Sequence, residues 1–234
     1  MIVIVCSVVE LVRRGFSTDD IVEKLVQVEE LAWNVGGSDI LASKEKISKR
    51  VMIIPEGTSL AFLPTGEAVG SQYAFRLHWS GNTEVLTSWG EWTNDGNIEK
   101  IHHVDGDTGF LVGVGVIPKY RGKKLTHNLH FAKEYKASEL LIALTLDNLF
   151  DAGVKQVIAN ARVPFYHTMP ECGVSMNIDE YCAFRDKDGK LYDPVLRFHE
   201  RMGAKIIKPV QYSMEDPESL NAGAWVLYQH RFGG

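Results

Sequence analysis

Hydrophobic and polar positions follow two rhythms along this chain, and the rhythms divide it into strand-like and helix-like segments. The opening run MIVIVCSVVE is apolar and rich in β-branched residues, which reads as a buried strand. After it, Ser17, Thr18, Asp19 and Asp20 offer helix caps. Ile21, Leu25, Val28, Leu31 and Ala32 then recur on one helical face, predicting an amphipathic helix to about Trp33. A second helix opens at Ser43 and stops before Pro55, because the residue ahead of a proline is pushed out of the helical region. The runs SLAFL and AVGSQYAFRLHW read as two strands joined by a Pro64-Thr65-Gly66-Glu67 turn.

The tract 80–108 is polar and aromatic and reads as a long loop, a place where function concentrates. It contains Trp89 and Trp92, aromatics that suit either a homodimer surface or core packing. His102, His103, Asp105 and Asp107 could form a metal cluster, but they read better as solvated loop residues, since no helical or hairpin framework fixes their geometry, and no metal is expected. Residues 109–117 (GFLVGVGVI) form the clearest buried strand. Beyond Pro118 a helical run is predicted over 122–151, stopped by Gly153. A strand near 154–159, an irregular tract to about 190, a short helix in DPVLRFHERMG and two closing strands in AKIIKPVQYSM and AWVLYQH complete a mixed α/β or α+β layer.

Composition narrows the class. At 234 residues, 45% hydrophobic and 24% charged, the chain has the make-up of one folded globular domain over 1–234. Its net charge of −5 supplies no global positive field for nucleic acid or an anionic membrane, and favours a cationic substrate. The first strand reaches Glu10 well short of the roughly 20 apolar residues that span a bilayer. It also lacks a basic leader, so a cytoplasmic protein is expected. Cys6, Cys172 and Cys182 are odd in number and lack CxxC spacing, which implies neither a disulfide framework nor a zinc site.

The chemistry concentrates where the buried strand meets a basic turn, VGVIPKYRGKKLT over 114–126. A helix opening here would present unpaired amides and a positive dipole end to an anion such as a diphosphate. Arg121, Lys123 and Lys124 add charge, and Gly122 permits close backbone approach. A solvated basic helix start is the alternative reading of the same residues.

This stretch resembles the signature of the GNAT acyltransferase superfamily, a strand ending in V-x-P-x-Y-R-G followed by a glycine-containing turn R/Q-x-x-G-x-G/A. The resemblance implies an α+β GNAT fold, a central, mostly antiparallel mixed sheet flanked by helices, with a CoA-binding core at about 109–160. It implies that main-chain groups around Val114, Gly115 and Val116 pair with the pantetheine arm of acetyl-CoA or another acyl-CoA. The amides of Gly122, Lys123, Lys124, Leu125 and Thr126 would hold the diphosphate, with Arg121 at the Arg/Gln position. Lys124 and Thr126 depart from the usual small residues. The segments ASKEKISKR, IIPEGTSLAF, HHVDGDTGFLVGVGVIPKYRG, NARVPFYH and LYDPVLRFHERMGAKI further resemble the GNAT domain that some bacteria carry fused to a carbon-nitrogen hydrolase. The helix after the turn is longer than is usual in that group, which points to a kink or an inserted turn.

GNAT enzymes catalyse direct attack of an amine on a thioester, so a proton must leave an ammonium and one should reach the leaving thiolate. Bringing a lysine-like amine from its pKa of about 10.4 to neutral pH costs about 4 to 5 kcal/mol, which gives a base its value. In FHERMGA, His199 aligns with the family's acid tyrosine, and His167 or Tyr166 is the candidate base, on the acceptor side. The tract 160–190 carries Met169, Met176, Tyr181 and Phe184 with Glu171, Asp179 and Glu180, and is expected to cover a small-molecule or peptide amine acceptor. A non-catalytic acyl-CoA-binding module, or a partner-binding domain without CoA affinity, is the alternative.

Overall fold

The computed structural model describes residues 1–33, 41–129 and 134–229. The first apolar run forms β1 (Ile2–Ser7), shorter than the sequence rhythm suggests, because the Ser7 hydroxyl accepts from Glu10 N–H and starts α1 (Val8–Arg13). The predicted amphipathic helix is α2 (Thr18–Trp33), and Ser43 caps α3 (Lys44–Ile53) as expected. β2 (Thr58–Phe62) and β3 (Ala68–Leu77) form the predicted hairpin, with Gly66 at a φ of 88° in its turn. The tract 80–108 holds α4 (Trp89–Thr93) and two 3-10 turns before β4 (Thr108–Val116).

The chain after β4 departs from expectation. Instead of a helix from 122, a 3-10 turn is followed by β5 (Lys124–His127) and β6 (Tyr135–Lys136), and only then by α5 (Ala137–Asp151). Residues 130–133 of the predicted helix lie outside the described residues. Leu125 is buried between exposed Lys124 and Thr126, a period of two that suits a strand and not a helix. β5 finds its ladder on the free edge of β1, pairing in parallel through Ile2 with Thr126 and Val3 with His127. The Asn128 amide extends that edge, accepting from Val5 N–H at 2.7 Å and donating to Val5 O at 3.1 Å. The inserted turn thus lies ahead of α5, not within it.

The rest of the chain runs through β7 (Gln156–Arg162), α6 (Thr168–Glu171), α7 (Ile178–Ala183), α8 (Pro194–Arg201), β8 (Lys205–Val210) and β9 (Gly223–Gln229). His230, at the end of the predicted last strand, lies outside the described residues. The nine described strands form one mixed sheet in the order β6-β5-β1-β2-β3-β4-β7-β9-β8, parallel at β1/β5 and β4/β7 and antiparallel elsewhere. α5 crosses one face and α2 the other. A Cβ on Gly70 would meet Leu141 of α5, while one on Gly115 would meet Val28, Ala32 and Trp33 of α2. Gly70 pairs with Val116, so Gly115 faces the opposite side.

Candidate active-site cleft

β4 and β7 share a parallel ladder only from Thr108–Gln156 to Leu111–Ala159, after which β4 stays with β3 and β7 with β9. A side chain marks the parting. The Trp89 indole N–H donates to the Val112 carbonyl at 3.1 Å, immediately past the last β4–β7 pair. Further along β4, Ile117 N–H donates to Val69 O on the β3 side. By the alternation of a strand, the peptide groups of Val116 and Val114 therefore face the gap left by β7.

The cleft has a roof and a buried donor. Trp33, at the end of α2, lies over Gly115, where a Cβ would come within 3.0 Å of the indole Nε1. Asn160 is the first β7 residue past the last pair with β4. Its Oδ1 accepts from Ser213 Oγ at 2.6 Å, while its buried Nδ2 has no hydrogen-bond partner among the described residues. Burying such a donor unpaired costs about 1–3 kcal/mol. No spacing in the sequence pointed to Trp33, Trp89 or Asn160, because their roles arise only where two strands part.

The predicted phosphate turn is rearranged. Arg121 folds back, its Nε donating to Val116 O at 2.9 Å and its second terminal nitrogen to Ala32 O at 2.6 Å, so it clamps β4 to the last turn of α2. Gly122 takes a φ of 73° in a turn, and Lys123 and Lys124 are exposed. Leu125 points into the core, and Thr126 N–H is taken by Met1 O at 3.0 Å. The cluster 122–126 is therefore not a helix N-terminus. Lys124, however, pairs across the β5/β6 ladder with Lys136, the residue that opens α5. Glu139 accepts from Lys136 N–H at 2.8 Å and is itself held by Arg201, leaving the next amides of α5 at the helix start.

The three proposed catalytic side chains occupy different settings. His199 is buried, its Nδ1 2.6 Å from the phenolic Oη of Tyr228, and burial pushes its pKa down to about 4. A neutral, packed imidazole at neutral pH does not supply the imidazolium that the sequence reading asked of it. The Tyr166 hydroxyl donates to Met176 O at 3.0 Å and its ring packs on Tyr181, with burial raising its pKa, a core role in place of a base. His167 differs. Its Nδ1 lies 2.8 Å from both the Pro164 and Glu218 carbonyls, which fixes the proton on Nδ1 and leaves Nε2 as an acceptor. The Glu218 carbonyl contact holds its pKa above the usual histidine value. Beside it, Arg162 bridges Asp216 and Glu218 at 2.7 Å each.

The tract 160–190 holds two short helices, α6 and α7, whose inner sides pack on the core while residues 171–175 and 183–185 are exposed. Met169, Ile178, Tyr181 and Cys182 are buried in the core beside α8, and the Tyr181 hydroxyl donates to Asp193 Oδ2 at 2.9 Å. Glu180 is engaged in a capping box with Asn177. Trp92 packs edge-on against Trp225, which accounts for it by core packing.

No family model matches the chain. It is 27% identical over 228 residues to an uncharacterized N-acetyltransferase, YkwB, of Bacillus subtilis (strain 168), covering 95% of this chain and 90% of that protein. It is 28% identical over 165 residues to a probable hydrolase, YhcX, of the same organism, where the match spans 70% of this chain but 28% of the relative's length. Among solved structures it superposes on the loading GNATL domain of CurA from Lyngbya majuscula with a TM-score of 0.72, 22% identity and 97% of both chains covered. The GphF GNAT-like decarboxylase in complex with isobutyryl-CoA gives 0.69, 23% identity, and 92% and 96% coverage. The fold is that of the GNAT proteins, α+β with a mixed sheet flanked by helices. No described helix is long and apolar enough to cross a membrane.

Proposed function

We propose that this protein is an N-acyltransferase that moves an acetyl or other short acyl group from acyl-CoA to a small-molecule or peptide amine by direct attack. The observation that carries this reading is the parting of β4 from β7 beyond Leu111 and Ala159. The gap offers the Val114 peptide group and Val116 N–H to an extended pantetheine arm, which would bind as an added strand. Val116 O is already held by Arg121.

The diphosphate falls on the start of α5 in place of 122–126. The first amides of this helix lack intrahelical partners. Lys124 and Lys136 stand opposite each other on neighbouring strands, a like-charge pair that an anion would stabilise. Asn160 Nδ2 is offered to the thioester carbonyl, whose oxygen gains charge as the amine attacks. His167 Nε2 is offered as the base, while His199 supports the fold. The YhcX match favours kinship with GNAT domains that accompany a hydrolase.

Calorimetric titration with acetyl-CoA, followed by an amine screen that reads free thiol, tests the reading. Binding with release of thiol on addition of an amine is expected, with Lys136→Glu weakening binding at least tenfold. No binding of acetyl-CoA or CoA by the unmodified chain overturns it.

A further inference from the structure

At the opposite end of β4 from the cleft, the loop that the sequence left without a framework turns out to have one. β3 ends at Leu77, which pairs with Thr108 at the start of β4, and His78 follows directly. The loop 102–106 is bound back along this end of β3. Arg76 N–H donates to His102 Nδ1 at 3.2 Å, His103 N–H donates to Arg76 O at 2.9 Å, and Arg76 Nε donates to Gly106 O at 2.8 Å. Gly106 lies so close to Leu77 that a Cβ would come within 2.5 Å of its backbone nitrogen. Backbone pairing, not chance side-chain drift, therefore sets His103 and Asp105 beside His78.

The three side chains converge. One ligand atom from each of His78, His103 and Asp105 lies within 4.8 Å of the other two. His78 Nε2 is 3.5 Å from Asp105 Oδ1, and on the other side of the ring Nδ1 is 4.0 Å from Asp107 Oδ1. Asp107 is in turn 3.6 Å from Lys155 and accepts from Thr108 Oγ1 at 3.2 Å. Asp107 thus stands on the far side of the His78 ring from Asp105, where a carboxylate can orient a metal-binding imidazole. His102 is not part of the cluster, and its Nδ1 accepts from Arg76 N–H at 3.2 Å.

We infer that His78, His103 and Asp105 form a binding site for a divalent first-row transition ion, of which Zn²⁺ is the representative. Two imidazoles and one carboxylate suit such an ion and not Mg²⁺ or Ca²⁺, which take oxygen ligands. Ligand atoms now up to 4.8 Å apart draw in by side-chain rotation to surround an ion at about 2.0–2.2 Å. Three protein ligands leave a fourth position open for water. His78 and His103 also line an open groove of about 260 Å³ with Phe75, Leu77, Trp92 and Ile101. The inference is independent of acyl transfer, because the ladder between β4 and β7 separates this end from the cleft.

The test uses the full, metal-stripped chain, titrated with Zn²⁺ by calorimetry and with Co²⁺ by visible absorption. We expect one ion per chain, at least tenfold weaker binding in His78→Gln, His103→Gln and Asp105→Asn, and unchanged binding in His102→Gln. The ligands are exposed, so the variants are expected to fold, and far-ultraviolet circular dichroism checks each one. No saturable Zn²⁺ binding by the parent chain, or parent-like affinity in folded His78→Gln or Asp105→Asn, overturns the assignment.

Discussion

Arg121 donates to the carbonyl of Ala32 at 2.6 Å, joining the residue expected to hold phosphate to the last turn of a helix far away in sequence. Hydrogen bonds from a charged donor contribute about 1.5–3 kcal/mol. Arg121→Ala should lower the unfolding free energy by an amount of that order, measured by urea denaturation. The salt dependence of acyl-CoA binding should stay as in the parent, since this guanidinium has no phosphate to meet.

Gly115 lies under Trp33, with Ala32 Cβ 3.3 Å from where its own Cβ would stand. Gly115→Ala should therefore cost about 1–3 kcal/mol by overpacking. Combining it with Trp33→Leu should recover part of that loss, because the clash is shared. Additive losses in a double-mutant cycle would show that the two residues do not meet.

Asn160, the first β7 residue past the β4–β7 ladder, has a buried amide nitrogen without a partner among the described residues. If that donor meets the charge that develops on the thioester oxygen, Asn160→Ala should lower kcat by about a hundredfold or more, with KM little changed. An equal loss in Asn160→Ala through KM alone would reduce the residue to a binding contact.

His167 supplies a pH signature. As a base it works when neutral, and its pKa is held above the usual histidine value of 6.5. The rising limb of kcat/KM should thus have its midpoint above 6.5 and be absent in His167→Gln. A profile in the variant that superimposes on the parent's removes the histidine from proton transfer.

His199 should appear in stability instead. Its folded pKa of about 4 lies below the ordinary 6.5, so between these values the unfolded chain binds more protons and stability rises with pH. The contribution is fully present above 6.5 and is lost as the pH falls toward about 4, amounting to about 3 kcal/mol. His199→Gln, compared by chemical denaturation at several pH values, should flatten this acid slope by close to one proton.

Local signals made much of the fold legible. The Ser43 cap, the Pro64 to Gly66 turn and the period of α2 each depend on neighbours in sequence, and each led to the right element. KKLTH failed because its strand is four residues long and its partner is β1, at the other end of the sequence. The strand that carries Val114 and Val116 was legible from its apolar run. Asn160, Trp89 and the meeting of His78 with His103 were not, since each depends on contacts between distant segments.

The β5–β1 pairing also bears on how the chain folds. Ile2 meets Thr126, and Val5 meets Asn128 across 123 residues, so the outer edge of the first strand is closed only after more than half the chain is in place. Until then β1 presents an open, apolar edge, the kind of surface on which partly folded chains associate. Closing so long a loop is slow, which places the completion of this edge late in folding and makes the pairing a point at which aggregation competes with it.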